Sequence, residues 1–201
     1  AWQARALIGS AGILPLQAYL SLIRETGQAN FFHLPTLFWI SAHDSMILAI
    51  CWGGVVSSLL LFIGIFPVLN LFLLWAFYLS IVNAGQDFMS FQWDMLLLES
   101  GFLAIFFVPR KSSVFLSLKS DFVSSAAIRR LYYWLLFRLM YFSGVMKWRS
   151  GDVTWQDLSA LNYHYETQPL PTWIGWYFHQ LPAWFDRFSV MVMFLIEVGV
   201  P

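Results

Sequence analysis

MILAICWGGVVSSLLLFIGIF, residues 46–66, carries no charged side chain from end to end. At about 1.5 Å of rise per residue it is long enough to cross a hydrocarbon core of about 30 Å. Gly64 and Pro67 then punctuate the run, and residues 68–84 continue without charge. A glycine and a proline so placed predict two helices joined by a tight turn, not one very long helix.

Composition agrees with this stretch. The chain of 201 residues is 59% hydrophobic and 11% charged, with a mean hydropathy of +0.66. Soluble domains carry about 25% charged residues, so a bundle of membrane helices fits better than a soluble fold. Eleven Lys and Arg balance eleven Asp and Glu, and no basic field points to nucleic acid. Cys51 is the single cysteine and excludes an intrachain disulfide. There is no Asn-x-Ser/Thr acceptor, as suits a bacterial protein. The chain begins at Ala1 without Met and stops within an apolar run, and so reads as part of a longer protein. No signal peptide is evident; targeting would rest on the spanning helices.

Outward from the hairpin, further spans are predicted at residues 88–108, 131–145 and 188–200, with a less regular apolar segment at 6–23 broken by Gly9, Gly12 and Pro15. The expected fold is therefore all-α: one polytopic transmembrane helical bundle over residues 1–201. Residues 109–130 contain Arg110, Lys111, Lys119, Arg129 and Arg130 against Asp121 alone, which marks a cytoplasmic loop. Tracing the spans from there places the turn at 64–67 inside. Residues 30–44, 83–87 and the long, aromatic-rich segment 148–187 fall outside.

Ionisable groups at bilayer depth are costly and normally face partners within a bundle. Glu99 lies about 13 Å along the helix from Val108, and Arg138 about 13 Å from Arg129. Equal depth predicts an intramembrane Glu99–Arg138 pair, more simply a staple between helices than a relay. Asp87 and Asp94 are seven apart; Asp87 is read as a helix N-cap. Asp94, Glu99 and Lys147 form the alternative, catalytic reading, because burial would shift their proton affinities toward acid/base work. No confident catalytic residue emerges. His33, His43, His164 and His179 show no metal-ligand spacing, and no cofactor motif is present.

Residues 148–187 crowd aromatic rings together. As structure these make an interfacial belt; as function they offer a surface that a protein client would grip, with Trp155, Tyr163, His164, Tyr165, Trp173 and Trp176 as binding candidates. Thr154 with Asp157 reads as a capping box opening a helix toward Tyr163, ended by Pro169 and Pro171; Pro182 is placed to start the next helix.

Three segments carry a resemblance to a known family: LIGSAGILPLQAYL (residues 7–20), FQWDMLLLESGFLAIFFVP (91–109) and SGVMKWRSGDVTWQDLSALNYHYETQPLPTWIGWY (143–177). In them the chain resembles the lipase maturation factor family. The resemblance implies a membrane-embedded, chaperone-like factor, not a hydrolase, that assists secreted lipases or other extracytoplasmic clients. It implies residence in the endoplasmic reticulum, or in the inner membrane if the source is bacterial, and contact with membrane lipid. The family is also distantly similar to the membrane portion of vitamin K-dependent gamma-carboxylase, which keeps an integral membrane enzyme as the alternative. A transporter would require broken inverted repeats, and none is visible.

Overall fold

The computed structural model describes residues 2–27, 31–108, 125–168 and 172–201, and all structural statements concern these. They form helices joined by turns, with no extended strand. The chain packs as two compact units, Ala1–Arg129 and Arg130–Pro201. The expected basic loop at 109–130 lies outside the described residues through position 124.

In the first unit, α1 (Trp2–Ile8) and α2 (Leu16–Glu25) precede three long helices: α3 (Asp44–Phe62), α4 (Pro67–Ala84) and α5 (Gln92–Phe107). α3 and α4 are the predicted hairpin, and both are long and apolar enough to cross a membrane. Only 17% and 28% of their apolar windows are buried. Core helices of a soluble fold would be covered by protein; apolar surface of this extent belongs in lipid. The chain is that of a membrane protein.

The hairpin turn is built as its sequence predicts, with one addition. Gly64 adopts φ +78°, Phe66 takes the left-handed region at φ 41°, and Pro67 opens α4 at a position where its missing N–H is no loss. The buried Asn70 side chain donates to the carbonyls of Ile65 (2.8 Å) and Phe66 (3.2 Å), so the sharp bend leaves neither oxygen bare.

The core of this unit sits at the other end of the hairpin. Ile8, Leu16, Leu20, Phe38, Ile47, Ile50 and Ala84 pack together where α1, α2 and a short 3-10 turn (Leu37–Trp39) cover the start of α3 and the end of α4. Buried polar groups sew the 3-10 segment onto α4. Ser80 Oγ donates to Ala76 O at 2.7 Å and accepts from Leu37 N at 3.0 Å, while Asn83 Nδ2 donates to Pro35 O at 2.8 Å. Asp44 ties α3 to the α1 end, accepting from Ser10 N at 2.7 Å with Arg5 at 3.4 Å.

α5 starts at Gln92, later than the sequence reading of 88, because residues 86–89 form a 3-10 turn of their own after Gln86 at φ 51°. Asp87 falls inside that turn, so it is not the cap expected of it. The carboxylate that caps α5 is Asp94, whose Oδ2 accepts from Phe91 N at 3.3 Å.

The second unit contains most of α6 (Ala126–Arg149), then α7 (Val153–Gln156), α8 (Ala160–Thr167), α9 (Trp173–His179), α10 (Ala183–Phe194) and a closing π turn (Leu195–Gly199). The expected aromatic segment is thus a row of short helices. Asp152, not Thr154 with Asp157, caps α7: its Oδ1 accepts from Thr154 N at 2.9 Å. Asp157 instead accepts from Ser159 N at 2.9 Å across Leu158, which sits at φ 64° and breaks the chain between α7 and α8. Ser159 holds the Asp157 carboxyl below the usual carboxylate range. Thr172 caps α9 through Gly175 N at 3.0 Å, and Pro182 immediately precedes α10.

Candidate functional site

Within the first unit, Asp94 and Tyr78 meet across α4 and α5. The Tyr78 hydroxyl donates to Asp94 Oδ1 at 2.5 Å, and Asp94 is buried. Beside them Trp75 Nε1 donates to Leu98 O at 3.1 Å, and a cavity of about 220 Å³ opens among Leu71, Leu74, Leu97 and Gly101. Both Asp94 oxygens are thus engaged, one in the helix cap and one by the phenol, so the residue acts as a clasp between helices. Glu99 lies five positions further along α5 and is exposed, on a different face. Asp94→Asn is expected to destabilise the folded protein by about 1.5–3 kcal/mol, the scale of a hydrogen bond to a charged group. Tyr78→Phe should cost a similar amount, and the double variant less than the sum. Unfolding in detergent for the four forms checks this; strict additivity would show that the two side chains act separately.

The second unit holds a denser constellation. Lys147, on the last turns of α6, reaches Glu197 Oε1 at 2.5 Å and Met193 Sδ at 3.5 Å, with its ammonium 5.6 Å from the Trp155 ring centre. Glu197 Oε2 is buried with no hydrogen-bond partner among the described residues. The contact is possible because Gly144 stands opposite. A Cβ there would come within 2.5 Å of Val198 Cγ2 and 3.1 Å of Glu197 Cβ. Together with the edge-on packing of Trp148 against Phe194 at 5.7 Å, these contacts fix an antiparallel register between the end of α6 and the end of α10. That register puts Glu197 level with the last turns of α6. The first residues of α10 therefore run beyond α6, alongside α8.

Sequence reasoning placed Lys147 near an outer boundary but missed Glu197 as its partner, fifty positions away. The readable signal was Glu197, the one charge in residues 188–200, which needs a cation from elsewhere in the bundle. Next to this pair lies an apolar groove of about 870 Å³ along α6, α10 and the π turn.

The aromatic candidates separate into two groups. Trp155 is half-buried, edge-on to Phe194 at 6.3 Å, and Tyr165 packs edge-on to His179 at 6.1 Å. These two support the fold. Tyr163, Trp173 and Trp176 are 58%, 74% and 60% exposed, His164 is exposed beside them in sequence, and Tyr177 joins Trp173 and Trp176 through edge contacts at 6.2 and 5.1 Å. α9 thus shows solvent or lipid a continuous aromatic face. It is held from behind by His179 Nε2 against Glu166 at 3.0 Å; on α10, burial pushes the Asp186 carboxyl above its usual range while His179 partly offsets the shift. Among the described residues no three His, Cys, Asp or Glu gather as a metal site. Arg138, half-buried on α6, belongs to the second unit and Glu99 to the first.

Two helices long and apolar enough to cross a membrane, in a chain that is helical throughout its described residues, define a helical membrane protein. The whole chain, residues 1–201, matches the family described as Lipase maturation factor transmembrane domain, and the protein belongs to the lipase maturation factor family. It is 43% identical to Lipase maturation factor 2 of Xenopus laevis, 39% to Lipase maturation factor 2 of Homo sapiens and 37% to Lipase maturation factor 1 of Mus musculus. Each alignment covers 99% of this chain but 29%, 30% and 36% of those relatives, so the chain spans about a third of their length. No solved structure matches it.

Proposed function

We propose that this chain is the membrane domain of a maturation factor that helps secreted lipases, or other extracytoplasmic clients, to fold or assemble. The observation that carries the reading is the exposed aromatic face of α9, mounted on capped short helices, in a chain whose relatives bear the name lipase maturation factor. Trp and Tyr supply large contact area at low entropic cost, as a surface for partly folded clients requires. In this reading the chain crosses the membrane several times, at about 46–66, 68–84, 88–108, 131–145 and 188–200. The basic segment 109–130 is cytoplasmic, and the aromatic cap lies in the endoplasmic reticulum lumen or the bacterial periplasm. The enzyme alternative has less support, because Asp94 is committed to Tyr78 and the α5 cap, and Lys147 to Glu197.

The test is to express the full-length protein with a secreted lipase and measure lipase quantity and specific activity separately. Replacing Trp173, Trp176 and Tyr177 together by serine is expected to lower specific activity at least threefold at unchanged lipase quantity and unchanged maturation-factor level. Asp94→Asn should retain function in proportion to its folded fraction. Unchanged specific activity in cells lacking the protein would overturn the proposal, and complete loss with a well-folded Asp94→Asn protein would favour the enzyme.

A further inference from the structure

We infer that the groove between α6 and α10 holds an acyl chain of an anionic phospholipid, with its phosphate on Arg149. The inference rests on membrane embedding alone and is independent of the client reading.

The groove lies wholly within the second unit. Its walls are Val145 and Trp148 of α6, Leu158 at the α7–α8 break, and Met191, Leu195 and Val198 from α10 and the π turn, with Gly144 in its floor. Its volume of about 870 Å³ lies within the roughly 300–1,000 Å³ of small-molecule sites, and such sites are mostly apolar with a few placed polar groups. Here the polar groups are Arg149 and Gln156, both exposed at the rim.

The charge pattern selects the headgroup. Two cations stand close together on the last turn of α6, but Lys147 is turned to Glu197 and covered by Trp155. Arg149 is left, with no acid in ion-pair range among the described residues. A guanidinium at the mouth of an oily groove, two residues past a neutralised lysine, matches an amphiphile with a phosphate at one end and a hydrocarbon tail at the other. Its planar fork binds phosphate through two parallel hydrogen bonds, and an ammonium does not. Gln156 adds an amide that can donate to a glycerol or ester oxygen. The same end of α6 bears Trp148, whose ring type favours the headgroup level of a bilayer.

The experiment uses the full-length protein in detergent, stripped of lipid and then given phosphatidylglycerol or phosphatidylcholine of identical chains, or inorganic phosphate. Retained lipid is read by native mass spectrometry. Phosphatidylglycerol should be retained at least tenfold better than phosphatidylcholine, and inorganic phosphate should not compete at equal concentration. Arg149→Gln should abolish the preference between the two lipids. Leu195→Trp, which fills the groove, should abolish retention of both, whereas Leu22→Trp on the first unit should change nothing. Should Leu195→Trp unfold, a phosphatidylglycerol with a photoactivatable chain decides on the wild type. Its label must concentrate on peptides containing Met191 and Leu195. Equal retention of the two lipids, displacement by phosphate alone, or label spread evenly over all lipid-facing helices would overturn the inference. So would a groove closed to lipid by another segment of the full-length chain.

Discussion

Lys147→Met is expected to destabilise the protein by about 3 kcal/mol, the lower end of the cost of stranding one half of a buried ion pair. The low end applies because about a quarter of the Lys147 side chain remains accessible, against 14% for Glu197. After the substitution the Glu197 carboxylate has neither its ammonium nor a partner for Oε2, and it stays packed against Gly144. Glu197→Gln should cost less, since an amide keeps a hydrogen bond to Lys147 and leaves its charge a route to solvent. The decisive form is the double variant Lys147→Met/Glu197→Leu, which removes both charges and fills their space. It should recover most of the loss, because an apolar pair of similar volume commonly equals a buried ion pair in stability. Thermal unfolding in detergent for the four proteins provides the reading. A double variant as unstable as the sum of its parts would mean that the two side chains matter separately.

Gly144→Leu should have an effect of similar size through a different cause. Even the Cβ of alanine would lie 2.5 Å from Val198 Cγ2, closer than real contacts allow, so the Val198 side chain or the π turn that carries it must shift. Overpacking of this kind costs about 1–3 kcal/mol for a few added carbons, and leucine adds four. A shift of the π turn also lengthens the Lys147–Glu197 contact and distorts the groove floor. Because the first clash is with the end of a side chain, Gly144→Ala should be partly rescued by Val198→Ala, whereas Gly144→Leu should not. Equal stability of Gly144→Leu and the parent protein would refute the packing described for α6 and α10.

The hairpin of α3 and α4 was readable from residues 46–84 because length, lack of charge and a Gly–Pro punctuation all act locally. The aromatic segment was readable as composition but not as shape. Its helices are set by caps at Asp152 and Thr172 and a positive φ at Leu158, and the last of these is not announced by any residue preference. Assigning the α5 cap to Asp87 failed because the 3-10 turn at 86–89 consumes the residues between Ala84 and the helix, a choice made by packing after α4. Asp94 was recognised as unusual, but its partner Tyr78 lies on another helix, and one sequence carries no record of that register. The same holds for Lys147 and Glu197. What composition did reveal is that each charge in an apolar helix demands a partner; which one it finds is a property of the folded arrangement.

Asn70 has a consequence for how the protein reaches its membrane. Its amide closes the bend at residues 65–66 from within, so the tip of the hairpin brings no bare carbonyl from these two residues to hydrocarbon. Two apolar rods joined by a self-satisfied tip can leave the insertion machinery side by side, as one object, without waiting for later segments to shield them. Asn70→Leu would keep every oily residue in place and still loosen that joint, because the Ile65 carbonyl would then depend on water at the membrane surface, while Phe66 O keeps the Asn70 backbone N–H.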